Sequence, residues 1–112
     1  MSELYGNSAS ISTTEYSLPN NSTTLTPITT EKTVQVFLNT SAIAAGDEFE
    51  LRIYDKVISG GSQVLVFPIV TLTSGIDAWV SPALRLKHGW DVTLVKTAGT
   101  DRTIEWSLRD TV

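Results

Sequence analysis

The sequence predicts an all-β domain. We read it as a single antiparallel β-sandwich, jelly-roll-like or barrel-like, of about six to eight strands with an extended N-terminal arm. Three observations carry this. From Thr33 onward, apolar and polar residues alternate with a period of two. Clusters of Gly, Pro, Asn and Ser break the alternation at regular intervals. Neither an internal repeat nor an alternation of helical and extended segments is present. Residues 1–31 read as a Ser/Thr-rich arm with room for one strand, and residues 32–112 as the sandwich body.

The arm stands out by composition. Between Ser8 and Glu31, Ser and Thr fill 12 of 24 positions, and Pro19 and Pro27 interrupt it. Ile11–Leu18 reads as a strand, because Thr and Tyr suit a pleated surface. Pro19-Asn20-Asn21-Ser22 reads as a turn, since Pro presets φ and Asn tolerates unusual backbone angles. Met1 to about Ala9 reads as a mobile arm or a segment ordered by a partner, with a plain disordered terminus as the alternative. Such an arm could add a strand to a partner's open sheet edge, and its removal with residues 2–17 would leave a folded body.

In the body, Val34, Val36 and Leu38 alternate with Thr33, Gln35 and Phe37, which suits a central strand. Thr40–Asp47 is too short for a stable helix and has room for one helical turn before Gly46-Asp47. Phe49, Leu51 and Ile53 then oppose Glu48, Glu50, Arg52 and Tyr54, the cleanest amphipathic strand in the chain. Ser59-Gly60-Gly61-Ser62 reads as a hairpin turn. Gln63–Leu72 is the most apolar run and reads as a buried strand, with Pro68 at a bulge or an unpaired edge position. Ser74-Gly75 ends it, and Trp79–Leu86 reads as a further strand interrupted by Pro82. His88–Asp110 reads as a closing hairpin. Putting both of its apolar sets on one face requires Leu94 opposite Ile104, Val92 opposite Trp106 and Trp90 opposite Leu108.

Bulk numbers narrow the function classes. The 112 residues suit one domain, with 41% apolar and 18% charged residues. A chain of this size buries roughly two-thirds of its unfolded surface. The absence of cysteine excludes disulfides, thiolate metal sites and a cysteine nucleophile. A net charge of −4 with scattered cations, Arg85 and Lys87 being the nearest to a cluster, argues against nucleic-acid binding. No apolar run approaches the ~20 residues of a membrane-spanning helix. The start of the chain has neither the basic nor the apolar segment of a signal peptide. The N-x-S/T triplets at Asn20, Asn21 and Asn39 are accidents of a Ser/Thr-rich chain if it takes no secretory route.

Each chemically suggestive residue has a structural explanation. His88 precedes Gly89 in a turn, with no adjacent nucleophile for it to serve as a base. One histidine without cysteine makes a poor transition-metal site. Asp47, Glu48 and Glu50 form an acidic cluster. Calcium needs convergent oxygens from several positions, so a solvated face is the better reading. Asp91 and Glu105 fall on one face of the expected hairpin and could be imagined as a glycosidase pair, but a small domain offers no deep cleft. Ser59–Ser62 lacks the lysine and helix of a phosphate loop. Trp90 and Trp106 fall on the apolar side as core anchors, and Trp79 is left as a surface or interface aromatic. No residue is assigned to a catalytic, cofactor-binding or metal site, and no cofactor is expected.

Three stretches carry a family resemblance: STTEYSLPNNSTTLTPITT at Ser12–Thr30, AGDEFELRIYDKV at Ala45–Val57, and HGWDVTLVKTAGTDRTIEWSLR at His88–Arg109. Together they resemble small virion structural proteins of tailed bacteriophages, most closely capsid decoration or cement proteins. The resemblance implies an all-β, non-enzymatic accessory protein made in the host cytoplasm and placed on the capsid exterior. Its implied partners are the major capsid protein and further copies of itself, as a homo-oligomer and by expectation a trimer, with no nucleic acid and no membrane. A tail or head–tail connector component is a second reading. A small glycan-binding module using Trp79 and the loops is a third.

Overall fold

The structure, a computed structural model, describes residues 2–110. It contains β1 (Ser2–Ile11), β2 (Tyr16–Ser17), β3 (Lys32–Asn39), β4 (Glu48–Lys56), β5 (Gln63–Leu65), β6 (Val70–Leu72), β7 (Ala78–Val80), β8 (Leu84–Leu86), β9 (Asp91–Ala98) and β10 (Arg102–Asp110). One sheet runs β1-β10-β3, with β7 and β8 sharing the far side of β3. The other runs β2-β9-β4, with β5 and β6 sharing the far side of β4. Every pairing is antiparallel. β5 and β6 are two pieces of one interrupted edge strand, and so are β7 and β8. Two sheets of four strand positions result, and the chain changes sheet at every connection between positions except β4 to β5. This is the strand order of a jelly roll.

The alternation read from the sequence becomes the core. Phe49, Leu51 and Ile53 of β4 face Val34, Val36 and Leu38 of β3 across the sandwich, and all six are buried. Trp90 and the even-numbered residues Val92, Leu94, Ile104, Trp106 and Leu108 complete the layer. Each fully buried aliphatic side chain contributes about 1.5–3 kcal/mol. Trp106 is the exception in polarity, because its buried Nε1 has no hydrogen-bond partner among the described residues.

The closing hairpin is not formed. β9 and β10 lie in different sheets, so Trp90–Leu94 and Ile104–Leu108 meet face to face rather than edge to edge. β9 pairs with β2 and β4, and β10 with β1 and β3. Gly99 makes the crossing at φ +87°, and an added Cβ would come within 2.6 Å of the Asp47 backbone. Asp47 anchors this arch: its carboxylate accepts from Thr100 N (3.0 Å), Ala44 N (3.0 Å) and Arg102 Nε (2.7 Å).

The N-terminal arm is also corrected. Residues 2–11 form the longest strand, paired with β10 at nine positions around a bulge between Glu3 and Tyr5. Ile11 and Leu18 are fully buried, so residues 2–31 belong to the sandwich. Met1 lies outside the described residues. The apolar signal there is sparse because β1 is an edge strand. Its inward row, Tyr5, Asn7, Ala9 and Ile11, needs little apolar surface, and main-chain bonds to β10 supply much of the rest.

Two local expectations change as well. Gln63–Leu72 is an edge rather than a buried strand, with Val64, Leu65, Val66 and Ile69 all at least 40% exposed. Pro68 sits in its break, as its missing N–H requires. Thr40–Asp47 holds two tight turns, closed by Ile43 N to Thr40 O and Asp47 N to Ala44 O, and no helical turn. Gly60-Gly61 does turn the β4–β5 hairpin, with Gly60 at φ +79°.

At the other proline break, Ser81 replaces the missing ladder bonds. Its buried hydroxyl accepts from Val36 N (2.8 Å), and its own N–H donates to Val36 O (2.9 Å). Ser81→Ala leaves the Val36 N–H buried without an acceptor. It should lower stability by about 1–3 kcal/mol in chemical denaturation, and a change within error would show that Pro82 is accommodated otherwise.

Candidate functional site

Two surfaces stand out. The first is the outer face of the β1-β10-β3 sheet. Alternation turns Gln35, Phe37 and Asn39 outward on β3, opposite Arg109, Ser107 and Glu105 of β10. The Arg109 guanidinium stacks 3.7 Å above the Phe37 ring. Its Nε donates to Ser107 Oγ (3.1 Å), which in turn donates to Glu3 Oε2 (2.6 Å). Asn39 Nδ2 donates to Glu105 Oε1 at 2.7 Å. With Ser41 and Asp77, Phe37, Asn39, Glu105, Ser107 and Arg109 border an open hollow of about 480 Å³. It offers carboxylates, an amide and hydroxyls; of the two aromatic residues in its lining, Phe37 is covered by Arg109 and Trp106 is buried. Ser107 and Glu3 form a hydroxyl–carboxylate pair without the imidazole that would relay a proton.

The second surface is the edge built by the interrupted strands. Of nine exposed large apolar residues among those described, eight lie between Val57 and Val80. Within this edge Val70, Leu72, Ile76 and Trp79, with three threonines, line a slot of about 200 Å³. Trp79 stands opposite Leu38, on the inner side of its sheet, and is half-buried. A concentration of apolar surface on one edge is the usual mark of a protein contact.

The residues singled out in the sequence are dispersed. His88 is half-buried in a bend, where its N–H and that of Lys87 donate to the Asp55 carboxylate (3.0 and 2.9 Å). Asp47 is not part of a solvated face. The Thr100 N–H, then Arg102, then the Ala44 N–H hold its carboxyl down at about 2. That stabilisation is present above the ordinary carboxylate value and is lost as pH falls through about 2. Glu48 and Glu50 do point outward, and Glu50 accepts from Arg52 Nη2 at 2.8 Å. Asp91 and Glu105 sit in different sheets, and no cleft joins them. Among the described residues, no group of three His, Cys, Asp or Glu side chains is placed to hold a metal ion.

Sequence reasoning missed a polar layer on the outer face of the β2-β9-β4 sheet. Glu15 accepts from Tyr54 Oη (2.8 Å) and from Thr93 Oγ1, with Arg52 Nη1 at 3.7 Å. Beside it, Ser17 Oγ donates to Asp91 Oδ1 at 2.7 Å. The signal lies in polar residues at alternate β9 positions, but nothing local shows that the segment before β3 folds over them. Burial pushes the Asp91 carboxyl up to about 6, opposed by the Ser17 and Val92 hydrogen bonds and reinforced by Glu15. The sign follows from linkage: the folded state binds the proton more tightly. Its contribution is full below about 4 and is lost as pH rises through about 6. Wild-type stability should carry a falling component on the order of 2 kcal/mol across that window. Asp91→Asn should remove it in melts taken from pH 4 to 7, and an unchanged slope would assign the effect to another group.

No protein-family model, curated protein or solved structure matches the chain.

Proposed function

We propose that this protein is a capsid decoration, or cement, protein of a tailed bacteriophage. In this reading it is made in the host cytoplasm, binds the outer head shell and stabilises contacts between major capsid subunits, without catalysis. The observation that supports it best is the gathering of exposed apolar side chains on one edge of a body whose polar residues bond one another. Such a body suits protein contact. The three phage-like stretches supply the setting. Jelly rolls occur among viral capsid and lectin domains, which adds an analogy of fold only. The glycan reading has less support, since Trp79 is half-buried on the inner side of its sheet and Phe37 lies under Arg109.

The test is reconstitution. Purified protein is added to heads and to tails that lack it, and bound copies are counted against the major capsid protein. Saturable binding to heads, at a copy number comparable with that of the capsid subunit, is expected. A few copies per particle, or binding to tails alone, would move the protein to the tail or connector.

A further inference from the structure

The edge formed by residues 57–80 has three properties that together specify an occupant. It is apolar: Val57 and Ile58 are 74% and 67% exposed at the tip of the β4–β5 hairpin, and Val64 and Leu65 of β5 and Val66 just after it are exposed. It is almost uncharged, with Asp77 its one charged side chain in a chain of net charge −4. It also ends in an open strand, because β5 pairs with β4 alone.

The register shows which main-chain groups are open. Val66 N donates to Ile53 O at 3.0 Å, and Val64 lies opposite Asp55 in the same register. Alternate residues of a strand direct their N–H and C=O groups to opposite sides. Gln63 and Leu65 therefore present theirs away from β4.

We propose that the β5 end of this edge joins two copies of the chain, with β5 pairing antiparallel to β5 about a two-fold axis at Val64, as a dimer in place of the trimer that the resemblance implies; the slot beside Trp79 stays open to the capsid. Gln63 of each copy then bonds Leu65 of the other, and the two Val64 side chains lie side by side. The lack of charge suits a second copy. A partner recognised by charge finds nothing here to pair with. A copy that is repelled by net charge elsewhere meets no like charge at β5. The Gly60-Gly61 turn and Pro68 flank β5, so the added ladder stops after a few residues. The contact then closes as a pair instead of growing into a fibre.

The test uses purified protein without heads, so its outcome is separate from the capsid reading. The chain has no cysteine, and Val64→Cys places a lone thiol at the proposed axis. Non-hydrogen-bonded antiparallel neighbours have Cα atoms about 4.5 Å apart, within disulfide range. Mild oxidation should convert Val64→Cys to a covalent dimer, while Thr97→Cys at the exposed end of β9 stays uncoupled. In sedimentation equilibrium, Val64→Lys with Leu65→Lys should weaken self-association by at least about tenfold, with the far-ultraviolet circular dichroism spectrum unchanged. A monomeric wild type would overturn the proposal. So would an oligomer that ignores both lysines while the Val64→Cys thiols fail to couple.

Discussion

Removing residues 2–11 is expected to abolish cooperative folding. β1 covers the open side of β10 along nine paired positions. Ile11 is fully buried, and Leu4, Tyr5 and Ala9 pack on the core. Burial of Ile11 alone is worth about 1.5–3 kcal/mol, and the partly buried residues bring the loss to on the order of 5 kcal/mol. Domains are stable by only about 5–15 kcal/mol in total. The truncation would also leave β10 as an open edge strand, a template for aggregation. The shortened chain should show no sigmoidal thermal transition by circular dichroism and no near-ultraviolet tryptophan signal. A cooperative melt with a native-like tryptophan spectrum would show that the segment is separable after all.

Trp90→Ala should be the most damaging single substitution, at about 3–5 kcal/mol. Trp90 is wholly inaccessible and is among the largest side chains in the core. Its ring meets Tyr5 edge-on, with centroids 6.3 Å apart, and its Nε1 donates to Thr30 O at 3.0 Å. Its backbone exchanges two hydrogen bonds with Ile28. One side chain therefore ties β1, the 28–30 segment and the core together, and none of these can collapse into the space it leaves without breaking the others. Urea denaturation followed by circular dichroism measures the loss. A cost below about 1.5 kcal/mol, the range of volume-conserving swaps, would mean that the site repacks.

Much of the fold was legible because alternation is a local property. The faces of β3 and β4, the Gly60-Gly61 turn and the proline breaks at Pro68 and Pro82 were read from neighbouring residues alone. The candidate surfaces were much less legible. The apolar run Gln63–Leu72 looked like core, and only its place at the edge of a sheet exposes it. Glu15 meets Tyr54, Thr93 and Arg52 across 37 or more positions of sequence, and no local pattern marks such a meeting. The segment before about Ala9 reads as an arm because an edge strand needs few apolar residues once a neighbour's main chain is there to pair with it.

The sequence by itself determined that this is an all-β chain and which side chains of each well-alternating strand face inward. A period of two admits one answer to that question. The tertiary structure alone decided which strands are neighbours. Trp90, Val92 and Leu94 are equally well buried beside Ile104, Trp106 and Leu108 in one sheet or against them from the opposite sheet. The arch was selected by distant partners: β1 and β3 flanking β10, β2 and β4 flanking β9, and Asp47 holding the turn at Gly99. Burial is a property of the residue, whereas pairing is a property of the whole set of strands.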